Sequence, residues 1–341
     1  MATLPKIRMG LVGCGAFGES HLTAFASIPF VEVTAVADLV ADRSCKLAER
    51  FGISRVVKDF RELCALNDVD AVSVVTTEDQ HLEPVLAALE NGKHVFVEKP
   101  MATRLGDAEK MLAAARKTGL ILMVGHILRF ETKYAMVKEQ LDSGRLGQIL
   151  SIYTRRNRPK WQATIYKRTP LVLETAVHDI DTMLWYTGKK VKSVRGYDVS
   201  VAPGGGADLT WAILRFENGT LGVLETMWLL PDKTPFLDDF LQVVTTSGVA
   251  KIDMLNSGLT ICRDDGLEIP DVSYEPRIRG SAYGALREEL SYFALCVLEG
   301  RKPTVLTAED GVESLRVGLA IIESARSDRE VEVESISQSG M

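Results

Sequence analysis

Two domains of mixed α/β architecture are what this sequence predicts, the first built on a parallel sheet and the second on a mostly antiparallel one. Three observations predict it. The 341 residues exceed what one hydrophobic core usually serves. Up to residue 125, apolar strand-like runs alternate with helical segments, the order that right-handed crossovers turn into a parallel sheet covered on both faces. Near His126 the rhythm changes to longer β-rich stretches broken by turn signals, which reads as hairpins. The expected domains are therefore 1–125 and 126–341, with the last helix free to pack back on the first.

Each element has its own signal. "KIRMGLVG" is an apolar run ending in glycine and "AFGESHLTAFASI" is helical. "VEVTAVAD" and "DAVSVVTT" are further strands, separated by "ADRSCKLAERFG", a helix that Gly52 closes. "DQHLEPVLAALENG" and "LGDAEKMLAAARKTG" are helices that alternate with the strands "KHVFVEKP" and "LILMVGH". In the second half, "TKYAMVKEQLDSG" is a helix, followed by "GQILSIYTRRNRP". "VKSVRGYDVSV", "DLTWAILRF", "TLGVLETMWLL", "DFLQVVTTSG" and "VAKIDML" are strands, with turns at Gly204-Gly205-Gly206 and Glu217-Asn218-Gly219. Two helices follow, "AYGALREELSYFALCVLEG" and "TAEDGVESLRVGLAIIESARS", then a short polar tail expected to fray.

Bulk properties exclude several classes. A net charge of −6, with 46% hydrophobic and 25% charged residues, describes an ordinary globular chain and argues against nucleic acid as the main partner. No run approaches the ~18 apolar residues of a membrane span. "MATLPKIRMGLVG" leads straight into a strand with no secretory pattern, so a cytoplasmic location and no membrane partner are expected. Cys14, Cys45, Cys64, Cys262 and Cys296 are scattered and read as reduced, mostly buried thiols. The histidines show no metal-ligand spacing, and no metal is expected.

Gly13-Cys-Gly-Ala-Phe-Gly18 fits G-x-G-x-x-G, a weak signal alone. Here it ends the first strand, opens a helix, and is followed twenty residues past Gly18 by Asp38, at the end of the second strand. Gly13 permits the tight turn, Gly15 the approach of backbone N–H groups to a pyrophosphate, and Gly18 close helix packing. The helix N-terminus adds partial positive charge. Gly13, Gly15, Ala16, Phe17, Gly18 and Asp38 are accordingly cofactor-binding candidates. Asp38 can accept from a ribose 2′-OH and would repel a 2′-phosphate, which favours NAD over NADP; Arg43 stands nearby and keeps NADP in view.

Lys99, in "GKHVFVEKP", stands where an apolar strand ends, with Glu98 before it and Pro100 fixing the turn. Ligands of open parallel sheets bind outside those carboxyl ends. A lysine there either holds a substrate hydroxyl beside a nicotinamide, stabilising a developing alkoxide, or sits in water. Thr76, Asp79 and His81 follow the third strand, so Thr76, His81, Glu98 and Lys99 join the cofactor-binding candidates. A second cluster lies in "VLETAVHDID": on a helix begun near Pro170 and ended at Gly188, Glu174, His178 and Asp181 fall at i, i+4 and i+7 along one edge. That row is either solvated or part of an active site, and the helix alone leaves both open.

"GLVGCGAFG", "AVAD", "VVTTEDQHLEPVLAALENGKHVFVEKP", "VGHILRF", "ETAVHDID" and "AIIESARSDREVEV" resemble, in the same order and over nearly the whole chain, the glucose–fructose oxidoreductase and inositol dehydrogenase family. The resemblance implies an N-terminal Rossmann domain, a C-terminal α/β domain with a large open sheet, and hydride transfer at a secondary alcohol of a sugar or polyol. Carried over by position, its catalytic lysine, acid and histidine are Lys99, Glu174 and His178. Two departures stand out: Glu174 occupies a usual aspartate position, and Thr77 a common proline position.

On this reading the chain is an NAD-dependent oxidoreductase that moves hydride between nicotinamide C4 and a secondary alcohol or ketone of a sugar, inositol or sugar derivative. His178, with a reference pKa of about 6.5, takes the hydroxyl proton; Glu174 orients it, and Lys99 holds the substrate oxygen. Arg129, Arg156, Trp161 and Tyr166 are candidates for gripping hydroxyls, the last three in a basic loop expected between Arg155 and Thr169 that includes Lys167. Two other functions fit the same residues: a glycoside-cleaving enzyme that oxidises its substrate transiently with NAD, and a sugar- or nucleotide-sensing protein without turnover. Pairing into a homodimer or homotetramer through the C-terminal sheet is expected.

Overall fold

The computed structural model describes residues 5–166, 169–201, 206–234, 238–256, 258–263 and 266–336. Lys167, Gly204, Gly205 and the end of the polar tail, residues 337–341, lie outside them. The chain forms two compact units, one running to Phe130 and including Ser273–Val312, the other comprising Glu131–Val272 and the residues from Glu313 onward.

The first unit strings β1 (Ile7–Val12), α1 (Ala16–Ala26), β2 (Val31–Ala37), α2 (Ala41–Phe51), β3 (Arg55–Val57), α3 (Phe60–Cys64), β4 (Ala71–Val74), α4 (Leu82–Glu90), β5 (His94–Val97), α5 (Leu105–Thr118) and β6 (Leu122–Val124). Its six strands pair in the order β3-β2-β1-β4-β5-β6, parallel throughout. Strands buried on both faces read as continuous apolar runs, and Ala71–Val74 is buried at every position. The sequence reading missed β3 and α3. β3, Arg-Val-Val, is a three-residue edge strand that pairs with β2, too short for a periodic pattern to show.

The second unit begins with α6 (Thr132–Asp142), β7 (Ile149–Pro159) and α7 (Lys160–Tyr166). A π-helical turn, Val172–Ala176, then leads into α8 (Val177–Thr187). β8 (Val191–Val199), β9 (Leu209–Phe216), β10 (Leu221–Leu230), β11 (Asp238–Thr245) and β12 (Val249–Asp253) follow, with a small hairpin of β13 (Ile261–Arg263) and β14 (Gly266–Glu268). A second small hairpin, β15 (Arg277–Ile278) and β16 (Ser281–Ala282), belongs to the first unit, as does α9 (Ala285–Leu298). α9 lays Leu286, Leu290 and Phe293 into the core formed by Ile7, Met9, Phe96 and Met123.

α10 (Ala308–Ser327) and β17 (Val331–Glu332) end the described chain. The large sheet runs β12-β11-β7-β10-β9-β8-β17; only β7–β10 is parallel. Strand alternation turns Ile152, Leu214, Leu224 and Leu241 to a buried face and leaves Tyr197, Trp211, Ile213 and Leu221 exposed on the other. Helices approach the buried face over glycine: a Cβ at Gly222 would stand 2.7 Å from Met183 Sδ of α8, and one at Gly196 2.6 Å from the Ile321 carbonyl of α10.

Candidate active site

The glycine turn fits its expected use. Gly13 has φ +104°, and a Cβ there would overlap the Val75 carbonyl; a Cβ at Gly18 would overlap the Gly13 carbonyl. Both glycines are therefore required by packing. Gly15 differs: a Cβ there would meet nothing within 4 Å, and Gly15 caps α1 without a side-chain hydrogen bond. Gly15 thus offers no capping side chain to the first-turn N–H groups of Ala16, Phe17 and Gly18 and leaves the space beside it open, the condition for holding a diphosphate. Phe17 is exposed beside them.

Asp38, at the exit of β2, is already engaged. Its Oδ2 accepts from Cys14 N at 2.7 Å and its Oδ1 from Val40 N at 2.8 Å. A carboxylate offers about four acceptor sites, so capacity for a ribose hydroxyl remains. Asp38 therefore also splices the glycine turn to the next strand. Cys14, in that turn, is a buried thiol pushed up to about 12 by burial, with Asp38 adding to the effect.

Lys99 is partly exposed at the exit of β5, on the same carboxyl edge of the parallel sheet as the glycine turn. Two neighbours expected to border the cofactor are buried. Glu98 is 6% exposed; its Oε1 lies 2.9 Å from His21 Nε2, and its Oε2 accepts from Lys99 N at 3.2 Å. His81 is buried, its Nδ1 3.1 Å from the Pro100 carbonyl and 3.3 Å from that of Met101, its Nε2 3.3 Å from that of Thr76. Burial holds the His81 pKa below the ordinary value, against the pull of those carbonyls and of Glu78 and Glu98. Both side chains are props under the Lys99–Met101 turn. Thr76 stays half-exposed at the edge. Thr77 donates to Asp79 Oδ1 at 2.7 Å, ordering the 3-10 turn Glu78–Gln80.

In the second unit the row Glu174, His178, Asp181 is not a solvated face. Glu174 is 8% exposed, Asp181 is fully buried, and His178 is half-buried. The helix bearing them is not α-helical throughout, as its periodicity predicted. Glu174 sits in the π turn, where bonds run i→i+5, a departure that recurs at functional sites. The turn is gripped from two sides: Trp228 Nε1 donates to Thr175 Oγ1 at 3.0 Å, and a Cβ at Gly318 of α10 would come 2.8 Å from Leu173.

Two of the substrate-gripping candidates, Arg156 and Arg129, are buried. Arg156 donates to Asp179 Oδ2 at 2.7 Å, to Asp239 Oδ2 at 2.6 Å, and to the Tyr134 hydroxyl at 3.3 Å. Arg158 pairs with the same Asp239. Burial pushes the Asp179 carboxyl up, while the Arg156 guanidinium pulls it down. Arg129 is buried in the first unit, donates to the Val305 carbonyl at 2.7 Å and pairs with Asp310 at 3.1 Å. Burial alone would raise Asp310, but Arg129 and Thr307 hold it below the usual carboxylate range.

The expected basic loop is strand β7 and helix α7. Alternation along β7 sends Arg156 and Arg158 inward with Ile152, a pattern present in the sequence. Trp161 and Tyr166 sit on α7; the Trp161 side chain is exposed, its main-chain N–H donates to Asp232 Oδ1 at 3.2 Å, and Tyr166 is half-exposed.

All five cysteines are free. Among the described residues no three His, Cys, Asp or Glu side chains gather as metal ligands, and no described helix is long and apolar enough to cross a membrane.

A parallel sheet whose first strand ends in this glycine turn, with an acidic residue at the exit of the second, defines a dinucleotide-binding protein of Rossmann type. The chain belongs to the GFO/IDH/MocA oxidoreductases: residues 7–126 match that family's NAD-binding Rossmann fold and residues 134–251 its C-terminal domain. It is accordingly an NAD-dependent oxidoreductase.

It is 28% identical to a myo-inositol 2-dehydrogenase of Thermotoga maritima, over 97% of this chain and 99% of that one. It is 26% identical to an NAD-dependent scyllo-inositol 2-dehydrogenase of Bacillus subtilis, over 96% and 97%. The scyllo-inositol dehydrogenase of Lactobacillus casei, solved with NAD(H) and scyllo-inositol, superposes with a TM-score of 0.84 at 25% identity, over 97% of this chain and all of that one.

Proposed function

We propose that this protein oxidises a ring hydroxyl of a cyclic polyol or sugar, inositols first among them, with NAD as hydride acceptor. The observation that carries the reading is the shared carboxyl edge: Lys99 leaves β5 on the side of the parallel sheet where the glycine turn leaves β1. Relatives named for inositol oxidation, matched over almost their full length, support the substrate class.

NAD, when bound, supplies an acceptor for hydride at nicotinamide C4. The first-turn N–H groups of α1 hold the diphosphate, and Asp38 selects the unphosphorylated ribose. Lys99 donates to the substrate oxygen and favours loss of its proton. His178 accepts that proton as general base, and Glu174, one methylene longer than the usual aspartate, orients the imidazole. Trp161 and Tyr166 remain the candidates for packing against the polyol ring. In this division of labour, residues 1–125 hold the cofactor and the second unit, Glu131–Val272 with the residues from Glu313 onward, the substrate. Arg129 and Arg156 are left out of the proposed substrate contacts, because both guanidinium groups are buried and paired, Arg129 with Asp310 and Arg156 with Asp179 and Asp239.

We also propose that a second copy of the chain covers the exposed Tyr197, Trp211, Ile213 and Leu221. Aromatic and aliphatic side chains gathered on one open sheet face are characteristic of interfaces. Light scattering on the purified protein decides between a dimer or tetramer and a monomer.

The test of function is a panel of inositols, monosaccharides and glycosides assayed for NADH formation. Steady NADH production from a free polyol supports the proposal. Cleavage of a glycoside without net NADH replaces it with the transient-oxidation alternative. Saturable NAD binding with no turnover across the panel replaces it with a sensor.

A further inference from the structure

We propose that His21 and Glu98 are positioning residues for Lys99, and that through them the helix opening the nucleotide turn sets where the lysine stands. The proposal rests on the reading that Lys99 contacts substrate.

His21 is on α1, fully buried, and its two ring nitrogens are both spent: Nδ1 lies 3.0 Å from Ser73 Oγ on β4, and Nε2 2.9 Å from Glu98 Oε1. A carboxylate accepts, so Nε2 carries the proton it donates to Glu98. The other carboxylate oxygen receives the main-chain N–H of Lys99. The carboxyl group has no latitude on its far side, because a Cβ at Gly125 would stand 2.9 Å from Oε1 and 3.0 Å from Oε2. The edge of the Phe17 ring lies against His21, with centroids 5.2 Å apart, and the Phe25 and Phe96 rings close around it. A continuous line thus runs from Phe17, in the first turn of α1, through His21 and Glu98 to the backbone of Lys99.

Stability does not require such a line. Buried polar pairs can often be replaced by well-packed apolar residues without loss, and the surroundings here are aromatic. What the pair supplies is direction: it fixes the residue before Lys99 in one rotamer and its amide in one orientation. Fixing a catalytic ammonium to within a fraction of an ångström is worth large factors in rate.

The test reads Lys99 directly and needs no substrate. Competitive acetylation of the native protein, with peptide mass spectrometry, gives the rate of Lys99 modification relative to exposed Lys46 across pH, with and without NAD. In His21→Leu and in Glu98→Gln the Lys99 rate changes by about threefold or more, or its pH midpoint moves by about half a unit or more, while other lysines hold their rates. If His21→Leu does not fold, Glu98→Gln, which keeps the shape and an acceptor for Lys99 N, carries the test.

On turnover of whichever polyol the panel identifies, His21→Leu lowers kcat by about tenfold or more. In a Lys99→Ala background it adds less than about twofold, since residues acting through one group are not additive. Unchanged Lys99 labelling in both variants, or full additivity in the cycle, overturns the proposal. A Lys99→Ala chain with near-native turnover removes the underlying reading instead, and is told apart because the labelling result does not depend on activity.

Discussion

Arg156 donates from Nε to Asp179 Oδ2 at 2.7 Å and from a terminal nitrogen to Asp239 at 2.6 Å, with both carboxylates out of solvent. Asp179 is the residue after His178. The strand pair β7–β11, where Arg156 faces Asp239 in register, thereby anchors the helix that presents the imidazole. Removing Arg156 leaves Asp239 to Arg158 but takes the buried partner from Asp179, and breaking a buried ion pair costs about 3–5 kcal/mol. Arg156→Met should lower unfolding stability by that amount, measured by urea titration. A loss under about 1 kcal/mol would show that the cluster is not holding the helix.

On the proposed reading Asp38 binds the ribose as well as the glycine turn, and its substitution should show both. Asp38→Ala removes a ribose acceptor and also frees Cys14 N, so NAD affinity falls by about tenfold or more and the preference over NADP narrows. Asp38→Asn keeps an acceptor oxygen for one of the two amides and should lose selectivity with a smaller loss of affinity. Fluorescence titrations with both dinucleotides check this; unchanged selectivity in both variants refutes the ribose assignment.

Burial depresses the folded-state pKa of His81 and of His94. Unfolded, both titrate near about 6.5. Above that pH neither state binds these protons and the two groups add no pH dependence. Below it the unfolded chain takes up protons that the folded chain refuses, so stability falls as pH drops from about 7 toward 5. Urea midpoints should decline through that window, and His81→Gln should flatten part of the decline. A midpoint constant from pH 7 to 5 contradicts it.

Thiol chemistry separates the cysteines. Burial pushes Cys14 and Cys64 up to about 12, and raises Cys296, while Cys45 and Cys262 are exposed. A chromogenic disulfide reagent at neutral pH should count two fast thiols in the native protein and five after denaturation. Fast reaction of Cys14 would mean that the glycine turn opens.

Much of this was legible in the sequence because it is local. The glycine turn, Asp38 and the Lys99 corner are each written within one strand and the turn that follows, where residue type and strand end are read together. What escaped depends on distance or on geometry without a pattern. His21 gives no hint of its partner, since Glu98 lies 77 residues away. The π turn leaves the apolar spacing of Leu173, Val177 and Ile180 intact and changes only the hydrogen-bond register. The charge of Arg156 and Arg158 suggests a basic loop, yet Ile152, two and three strand repeats earlier, marks their face as the inner one.

The measurement that bears most directly on the central claim is kcat/KM for polyol oxidation in Lys99→Ala, His178→Ala and the double variant, beside NAD affinity in each. If both side chains act on one substrate hydroxyl, each single change lowers kcat/KM by about 10²–10⁴-fold, the double variant is little worse than the poorer single, and NAD affinity stays within about threefold. Near-native turnover in either single variant would contradict the account.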